Sequence, residues 1–159
     1  MKKLVAPLLT LFCVASYFLA NRFIVTTIAV QGRSMSPTLD NGKRYYLNRW
    51  FYLFRAPCRG DVVVVKDPNH DDYAAKRIIA GPSDFLFLKE GVVYLNGQRL
   101  SEPYLGTNMR TDSIIRKNEW LILGPSEYYL MGDNRILSED SRYYGPVRRS
   151  VIIGRIVAD

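Results

Sequence analysis

The hydrophobic pattern of the chain begins with one long apolar segment. Residues 4–20 carry no charge; Lys2 and Lys3 precede them, and Arg22 follows closely. This length is near the lower limit of the roughly 17–25 residues that a membrane-spanning helix needs. We therefore expect a single N-terminal transmembrane helix. Because the two lysines precede the span, the amino terminus should be cytoplasmic and the rest of the chain should lie on the outer, periplasmic face of an inner or plasma membrane.

A cleaved signal peptide is the alternative interpretation of the same segment. A charged start followed by an apolar centre is typical of such peptides, but cleavage also requires small residues at the last and third-last positions. Cleavage after Ala20 would place Phe18 at the third-last position, which fits poorly. We therefore predict an uncleaved anchor over residues 1–22 and a second domain over residues 23–159.

Beyond the anchor, the pattern changes to short β-rich runs separated by turn residues, which predicts an all-β domain. Asn96-Gly97 between two such runs is a strong hairpin signal, because a tight hairpin turn needs two residues with positive φ. The predicted strands are residues 23–30, 61–66, 73–80, 84–88, 92–95, 98–100, 128–131 and 151–157.

Composition narrows the class of protein without choosing a function. The chain has 159 residues, of which 48% are hydrophobic, and a net charge of +7. A basic balance of this kind suits contact with anionic lipid or with nucleic acid. Cys13 falls within the predicted anchor and Cys58 outside it, so we expect no disulfide between them. Nothing in the sequence indicates a metal, a nucleotide or another cofactor, and His70 lies in an acidic, solvated loop.

A serine-containing turn is the first candidate for chemistry. Residues 31–39 follow the first predicted strand and hold Ser34 and Ser36 between Gly32 and Pro37. A tight turn of this kind can project a hydroxyl away from a sheet and leave backbone N–H groups free to bind an oxyanion. Serine, glycine and proline also cluster in ordinary loops, so this segment alone does not establish catalysis.

A lysine in an apolar strand is the second candidate. Alternation places Lys76, Ile78 and Ala80 on one face of the predicted strand, and Arg77 and Ile79 on the other. Lys76 pointing inward and Arg77 outward is compatible with this alternation. A buried lysine has a depressed pKa and can act as a general base, whereas a solvated one has no such role.

The third candidate is the polar segment of residues 131–147. It combines glycines, short polar side chains and two charged residues two positions apart, Asp140 and Arg142. Such a segment can form a loop stabilised by its own ion pair and hydrogen bonds beside a site, or it can be an ordinary polar loop.

Taken together and in this order, the three segments resemble the type I signal peptidases, membrane-bound serine–lysine endopeptidases. The resemblance is carried by residues 34–39, 60–65, 76–84 and 132–145, behind an N-terminal anchor. It implies a catalytic domain of two antiparallel β-sheets. It also implies removal of signal peptides from exported preproteins after a small-x-small site, of the Ala-x-Ala kind.

The resemblance also implies a role for each matched residue. Ser34 would be the nucleophile and Lys76 the general base, a known variant of the catalytic triad. Ser138 would orient the lysine amine by a hydrogen bond. Asp140 and Arg142 would form a supporting ion pair.

The chain departs at three places from the pattern common in that family. Gly32 stands where some members place an oxyanion-hole serine, so the backbone N–H of Ser34, with a contribution from Gly32, would have to bind the oxyanion. Ile136-Leu137 replaces an Asp-Asn pair found in many members, which predicts a differently packed turn. Ala80 stands where glycine is common.

An aromatic run follows the serine turn. Residues 45–55 contain six aromatic side chains together with Arg49 and Arg55. This composition suits contact with the headgroup region of a phospholipid membrane, and it equally suits a strand with its packing partners.

Several rival functions share parts of this pattern. A pilin or conjugation peptidase and a mitochondrial inner-membrane protease would use the same serine–lysine chemistry on other substrates. Self-cleaving repressors also use serine and lysine, but their amino terminus binds DNA. A single-strand nucleic-acid module or an inactive membrane-bound binding module would need no catalytic pair. The anchor argues against nucleic acid as a partner, and the complete set of matched positions argues against an inactive module.

Overall fold

A computed structural model describes residues 7–17, 25–68, 70–107, 109–112 and 120–157. Residues 7–17 are helical and form α1. Within the described parts of the chain, no helix combines the length and the apolar character needed to cross a membrane. The predicted span over residues 4–20 begins before and ends after the described residues 7–17. The start of the predicted strand over residues 23–30 also lies outside the described residues.

The remaining described residues are mostly β-structure, as expected from the alternation of short apolar runs. A single helical turn, α2 (Ser141–Tyr144), follows the ninth strand. The strands are β1 (Val25–Ala29), β2 (Arg44–Asn48), β3 (Val62–Lys66), β4 (Tyr73–Ala80), β5 (Phe85–Lys89), β6 (Val92–Leu95), β7 (Gln98–Arg99), β8 (Leu121–Ile122), β9 (Glu127–Met131), β10 (Val147–Arg148) and β11 (Ile152–Val157).

Within the described residues these strands form two antiparallel sheets. The larger has the order β1-β2-β11-β3-β4-β9-β10, and the smaller has the order β7-β6-β5-β8. The prediction of an all-β fold with two antiparallel sheets is therefore confirmed. The predicted Asn96-Gly97 hairpin is also present, with φ of 51° and 81° at the two turn residues and Leu95 paired with Gln98.

The run of four valines in β3 lies at the centre of the larger sheet and is covered on both faces. Val63 and Val65 pack with Ile78 on one face, and Val62 and Val64 pack with residues of the serine turn on the other. A strand buried on both faces needs apolar side chains at every position, which explains the absence of alternation. The next strand, β4, pairs with β3 and therefore also lies beside the core.

The smaller sheet packs its inner face against the end of the larger one. Leu86, Leu88 and Val93 join Tyr129 and Met131 in a single apolar cluster. The smaller sheet thereby covers the end of β9, the strand that leads into the polar segment of residues 131–147.

The alternation predicted for β4 holds only in its first part. Its pairing with β9 shifts register between Ile78 and Ala80, and a bulge of this kind moves the following side chains to the opposite face. Ala80 accordingly packs with Ile79 beside the smaller sheet, not on the face of Ile78. The expected grouping of Ala80 with Lys76 and Ile78 is therefore wrong.

Candidate active site

The described residues place Lys76 within the core of the larger sheet. It pairs with Val63 across β3 and β4, and only 4% of its surface is exposed. Its Nζ donates a hydrogen bond to Ser138 Oγ at 3.2 Å. Burial lowers the pKa of Lys76, an effect that nearby Asp140 partly opposes. A neutral amine is therefore easier to obtain here than on an exposed lysine.

Ser34 lies on the loop that follows β1. Gly32 has a φ of +93° in this turn, a backbone conformation that favours glycine. The loop is anchored by its apolar side chains, since Met35 and Leu39 are both buried. Ser34 itself is half-buried and lines a groove of ≈ 600 Å³.

A glycine brings the serine turn and the polar segment together. A Cβ on Gly132 would lie closer than 3 Å to the side chain of Ser138 and to the backbone oxygen of Ser34. The same approach allows Asn134 N–H to donate to Ser34 O at 2.9 Å. The backbone carrying Ser34 therefore meets the loop carrying Ser138, to which Lys76 is bonded. The described hydrogen bonds include none between Ser34 Oγ and Lys76 Nζ, and catalytic hydrogen bonds often tighten only when substrate binds.

Asp140 and Arg142 form a fully buried ion pair. Arg142 Nε donates to Asp140 Oδ1 at 2.8 Å and Arg142 Nη2 to Asp140 Oδ2 at 2.9 Å. Arg142 Nη2 also donates to Ser138 O at 3.1 Å, and Gly132 N–H donates to Asp140 Oδ2 at 2.9 Å. The pair thereby fixes both ends of the loop that holds Ser138.

The two expected oxyanion donors differ in their availability. Gly32 N–H already donates to Asn41 Oδ1 at 2.9 Å. Among the described residues, Ser34 N–H has no hydrogen-bond acceptor. To contribute to an oxyanion hole, the Gly32 N–H would first have to give up this hydrogen bond, whereas the Ser34 N–H would not.

A second buried ion pair, absent from the sequence analysis, lies on the other face of β4. Arg77 is only 8% exposed, so the outward direction considered for it from alternation is wrong. Its Nε and Nη2 donate to the Asp133 carboxylate at 2.8 and 2.6 Å. Thr38, from the serine turn, donates to the same carboxylate. Alternation identifies the face of a strand but not whether another segment covers it.

A third buried ion pair joins Arg135 to the long connection between β7 and β8. Arg135 donates to Glu102 and to Thr111 Oγ1, and its Nε donates to Gly132 O at 3.1 Å. Tyr104 OH donates to Glu102 Oε1 at 2.7 Å, and its ring lies 4.0 Å from the guanidinium carbon of Arg77. Glu102 and Tyr104 thus stabilise the loop of residues 132–140 through their contacts with Arg135 and Arg77. No local sequence pattern marks a contact between positions so far apart.

The aromatic run of residues 45–55 divides between core and surface. It contains most of β2, in agreement with the strand alternative, and Leu47 and Tyr52 are buried. Trp50, Leu53 and Phe54 are exposed, by 42%, 67% and 84% of their surface. The strand alternative therefore holds for β2, and the exposed side chains stay candidates for the expected membrane contact.

Comparison with known proteins agrees with this architecture. A family model described as signal peptidase, peptidase S26, matches residues 1–158. Signal peptidase IB of Staphylococcus aureus is 33% identical over 152 residues, which cover 87% of this chain and 79% of that protein. Signal peptidase I of Bacillus amyloliquefaciens is 31% identical over 150 residues, which cover 91% of this chain and 78% of that protein.

A solved structure extends the likeness to the fold. The crystal structure of a signal peptidase I from Enterococcus faecalis V583 has a TM-score of 0.55 and 28% sequence identity. It covers 65% of this chain and 98% of its own. The chain therefore belongs to the signal peptidase family, peptidase S26, and is a serine endopeptidase that removes signal peptides from preproteins.

Proposed function

We propose that Ser34 and Lys76 are the nucleophile and the general base of this signal peptidase. The observation that carries the proposal is the buried Lys76 amine, hydrogen-bonded to Ser138, beside a loop that contacts the backbone of Ser34. Burial disfavours the charged ammonium and so favours the neutral amine that a base requires. Ser138 orients this amine, and the Asp140–Arg142 pair holds the loop of Ser138 in place.

The reaction follows from these positions. Neutral Lys76 takes the proton of Ser34 Oγ as this oxygen attacks the carbonyl carbon of the scissile peptide bond. The Ser34 N–H binds the resulting oxyanion. The lysine ammonium then gives its proton to the leaving amine, and the acyl-enzyme forms. Water, deprotonated by the same amine, attacks the ester carbon. The lysine ammonium then returns this proton to Ser34 Oγ as the ester bond breaks, and the signal peptide is released with a free carboxylate.

The groove beside Ser34 supports cleavage after small residues. Ile28, Val30 and Ala75 are among the side chains that line it. Branched aliphatic side chains leave little depth for the substrate residues that face them, while an extended peptide directs alternate side chains to one side. We expect an Ala-x-Ala sequence to fit this groove.

Residues 7–17 support anchoring in a phospholipid membrane. Leu9, Leu11 and Val14 are each more than half exposed, and at 100° per residue they lie on different sides of the helix instead of forming one stripe. A helix that is apolar on all sides requires apolar surroundings. We propose that it belongs to the single anchor of residues 1–22, with a cytoplasmic amino terminus and the domain of residues 23–159 outside.

The exposed Trp50, Leu53 and Phe54 support a second contact with the same membrane. Arg55 lies beside them in the chain, and aromatic and cationic side chains together favour the headgroup region. Reduced binding of a Trp50→Ser, Phe54→Ser variant to anionic vesicles is the expected result, measured by flotation of a chain that begins at residue 23 and so lacks the anchor. Unchanged flotation would remove this surface from the proposal.

Cleavage of a preprotein tests the assignment directly. The full-length protein in detergent should cut a purified preprotein after its Ala-x-Ala sequence, and Ser34→Ala and Lys76→Met should each abolish cutting. Ser36→Ala is the matched control for the serine. Lys66→Met, at an exposed position at the end of β3, is the control for the lysine. Full activity of the Ser34→Ala variant would refute the assignment of the nucleophile.

A further inference from the structure

We propose that Ile136 and Leu137 form a subsite for an apolar side chain of the substrate, on the carboxyl side of the scissile bond. The ligand is thus the beginning of the mature protein, not the signal peptide. This inference rests on the proposed roles of Ser34 and Lys76.

Ile136 and Leu137 are apolar residues displayed to solvent between buried neighbours. Their exposed fractions are 77% and 60%, whereas Arg135 and Ser138 on either side are 3% and 2% exposed. Exposing two adjacent large aliphatic side chains forgoes the free energy that burial would supply. Such a pair at a catalytic loop therefore indicates a surface that becomes covered in a complex.

The loop that displays them is held at both ends. Arg135 is fixed by Glu102, Thr111 and the Gly132 carbonyl. Ser138 is held through its carbonyl by Arg142 and through its hydroxyl by Lys76. Between them, Leu137 N–H donates to Asn134 O at 3.2 Å, closing a turn. The two side chains are thus presented on a fixed support, which reduces the entropy lost on binding.

The chemistry of the leaving group locates the substrate beside this loop. Lys76 must protonate the amine that leaves, so the first residue of the mature protein has to lie within reach of Lys76 Nζ. That atom is hydrogen-bonded to Ser138, the residue that follows Leu137. The first residue of the departing chain must therefore lie close to Ser138, which is one position from Leu137 and two from Ile136.

The groove beside Ser34 does not include this loop. Ser34 lines the groove, but no residue of the loop 132–138 does. Asn134 N–H nevertheless bonds to Ser34 O, so the loop lies beside Ser34 and outside the groove. A peptide that fills the groove up to Ser34 must continue past this loop, where Ile136 and Leu137 offer it an apolar contact.

Matched substrates test the inference. Two preproteins with the same Ala-x-Ala site are compared, carrying Leu or Asn at the first and second positions after the cleavage point. We expect kcat/KM of the full-length protein in detergent to favour Leu by roughly tenfold, the effect of burying part of a leucine side chain. The Ile136→Asn, Leu137→Asn variant should reduce this preference, taken as the ratio of the two kcat/KM values, to about twofold or less.

The control is Ile122→Asn. Ile122 is 74% exposed on β8 of the smaller sheet, so it matches the solvent exposure of the pair at a position outside the catalytic loop. This variant should keep the full preference for Leu. Because all three side chains are exposed, the substitutions leave the core intact.

Each other outcome is informative. Cleavage without a preference for Leu, or a preference that survives in the double variant, overturns the subsite. A double variant that keeps the preference but binds anionic vesicles less would identify the pair as a lipid contact and also overturn it. Failure of the wild-type protein to cut either substrate, or cutting by Ser34→Ala, would instead overturn the proposed function on which the subsite rests.

Discussion

Removal of Glu102 should destabilise the protein strongly, although this residue lies outside the segments that carry the family resemblance. The Arg135 side chain is fully buried, and its partner Glu102 is only 9% exposed. Truncation to alanine would leave a buried guanidinium without its carboxylate. Losing one partner of a buried pair costs about 3–5 kcal/mol. Burial and the neighbouring carboxylate raise the pKa of Tyr104, so its hydroxyl stays protonated and would also lose its acceptor.

Urea unfolding of the full chain in detergent, followed by tryptophan fluorescence, measures this effect. With a slope of about 2 kcal/mol per molar urea, Glu102→Ala should lower the unfolding midpoint by about 2 M. Glu102→Gln keeps the side-chain volume and one carbonyl acceptor, so we expect a loss of roughly half that size.

Asp71→Ala provides the control. Asp71 is 93% exposed in an ion pair with Lys66, and exposed pairs contribute about 0–1 kcal/mol. A midpoint for Glu102→Ala within the range of Asp71→Ala would refute the reasoning, because the buried pair would then contribute no more than a surface one.

Four further predictions concern the site itself. Because burial lowers the pKa of Lys76, kcat/KM should rise with pH and reach its plateau at a pH below the ordinary pKa of lysine. A pH–rate profile measures this. Between the lowered and the ordinary pKa of Lys76, the folded state binds fewer protons than the unfolded state. The free energy of unfolding should therefore rise with pH across that window, and urea titrations of Lys76→Met should show no such rise. Ser138→Ala should lower kcat by about 10- to 100-fold with little change in KM, measured on the Ala-x-Ala preprotein, since it loosens the base without touching the groove. Gly132→Ala should abolish cleavage, because its Cβ would collide with Ser138 and the backbone of Ser34. Gly81→Ala is the control: the nearest atom to its added Cβ would lie at 3.6 Å, so this variant should remain active.

The sequence predicts the strands whose own side chains determine their conformation. β3 is predicted because its valines favour extended backbone and burial, and the β6–β7 hairpin because Asn96-Gly97 suits its turn. β8 and β10 contain two residues each, too few to show any period. Their pairing is imposed by neighbouring strands, so it could not be predicted locally.

The candidate site divides in the same way. Ser34, Lys76 and Ser138 stand in segments whose resemblance to the family depends on short, local spacing. Arg77, Asp133 and Glu102 are charged residues that a local analysis places at the surface by default. Their burial depends on partners 33 to 56 positions away, which only the folded chain brings together.

The hydrogen bond between Lys76 and Ser138 has a consequence for when the enzyme becomes active. It joins positions 62 residues apart, and Thr38 bonds to Asp133 across 95. Contacts between such distant positions form only when most of the loop-closure entropy has been lost. A partly folded or truncated chain would therefore lack the arrangement proposed for Ser34 and Lys76. This delay would protect a newly made peptidase from cutting itself or its neighbours, and it makes activity a sensitive measure of complete folding.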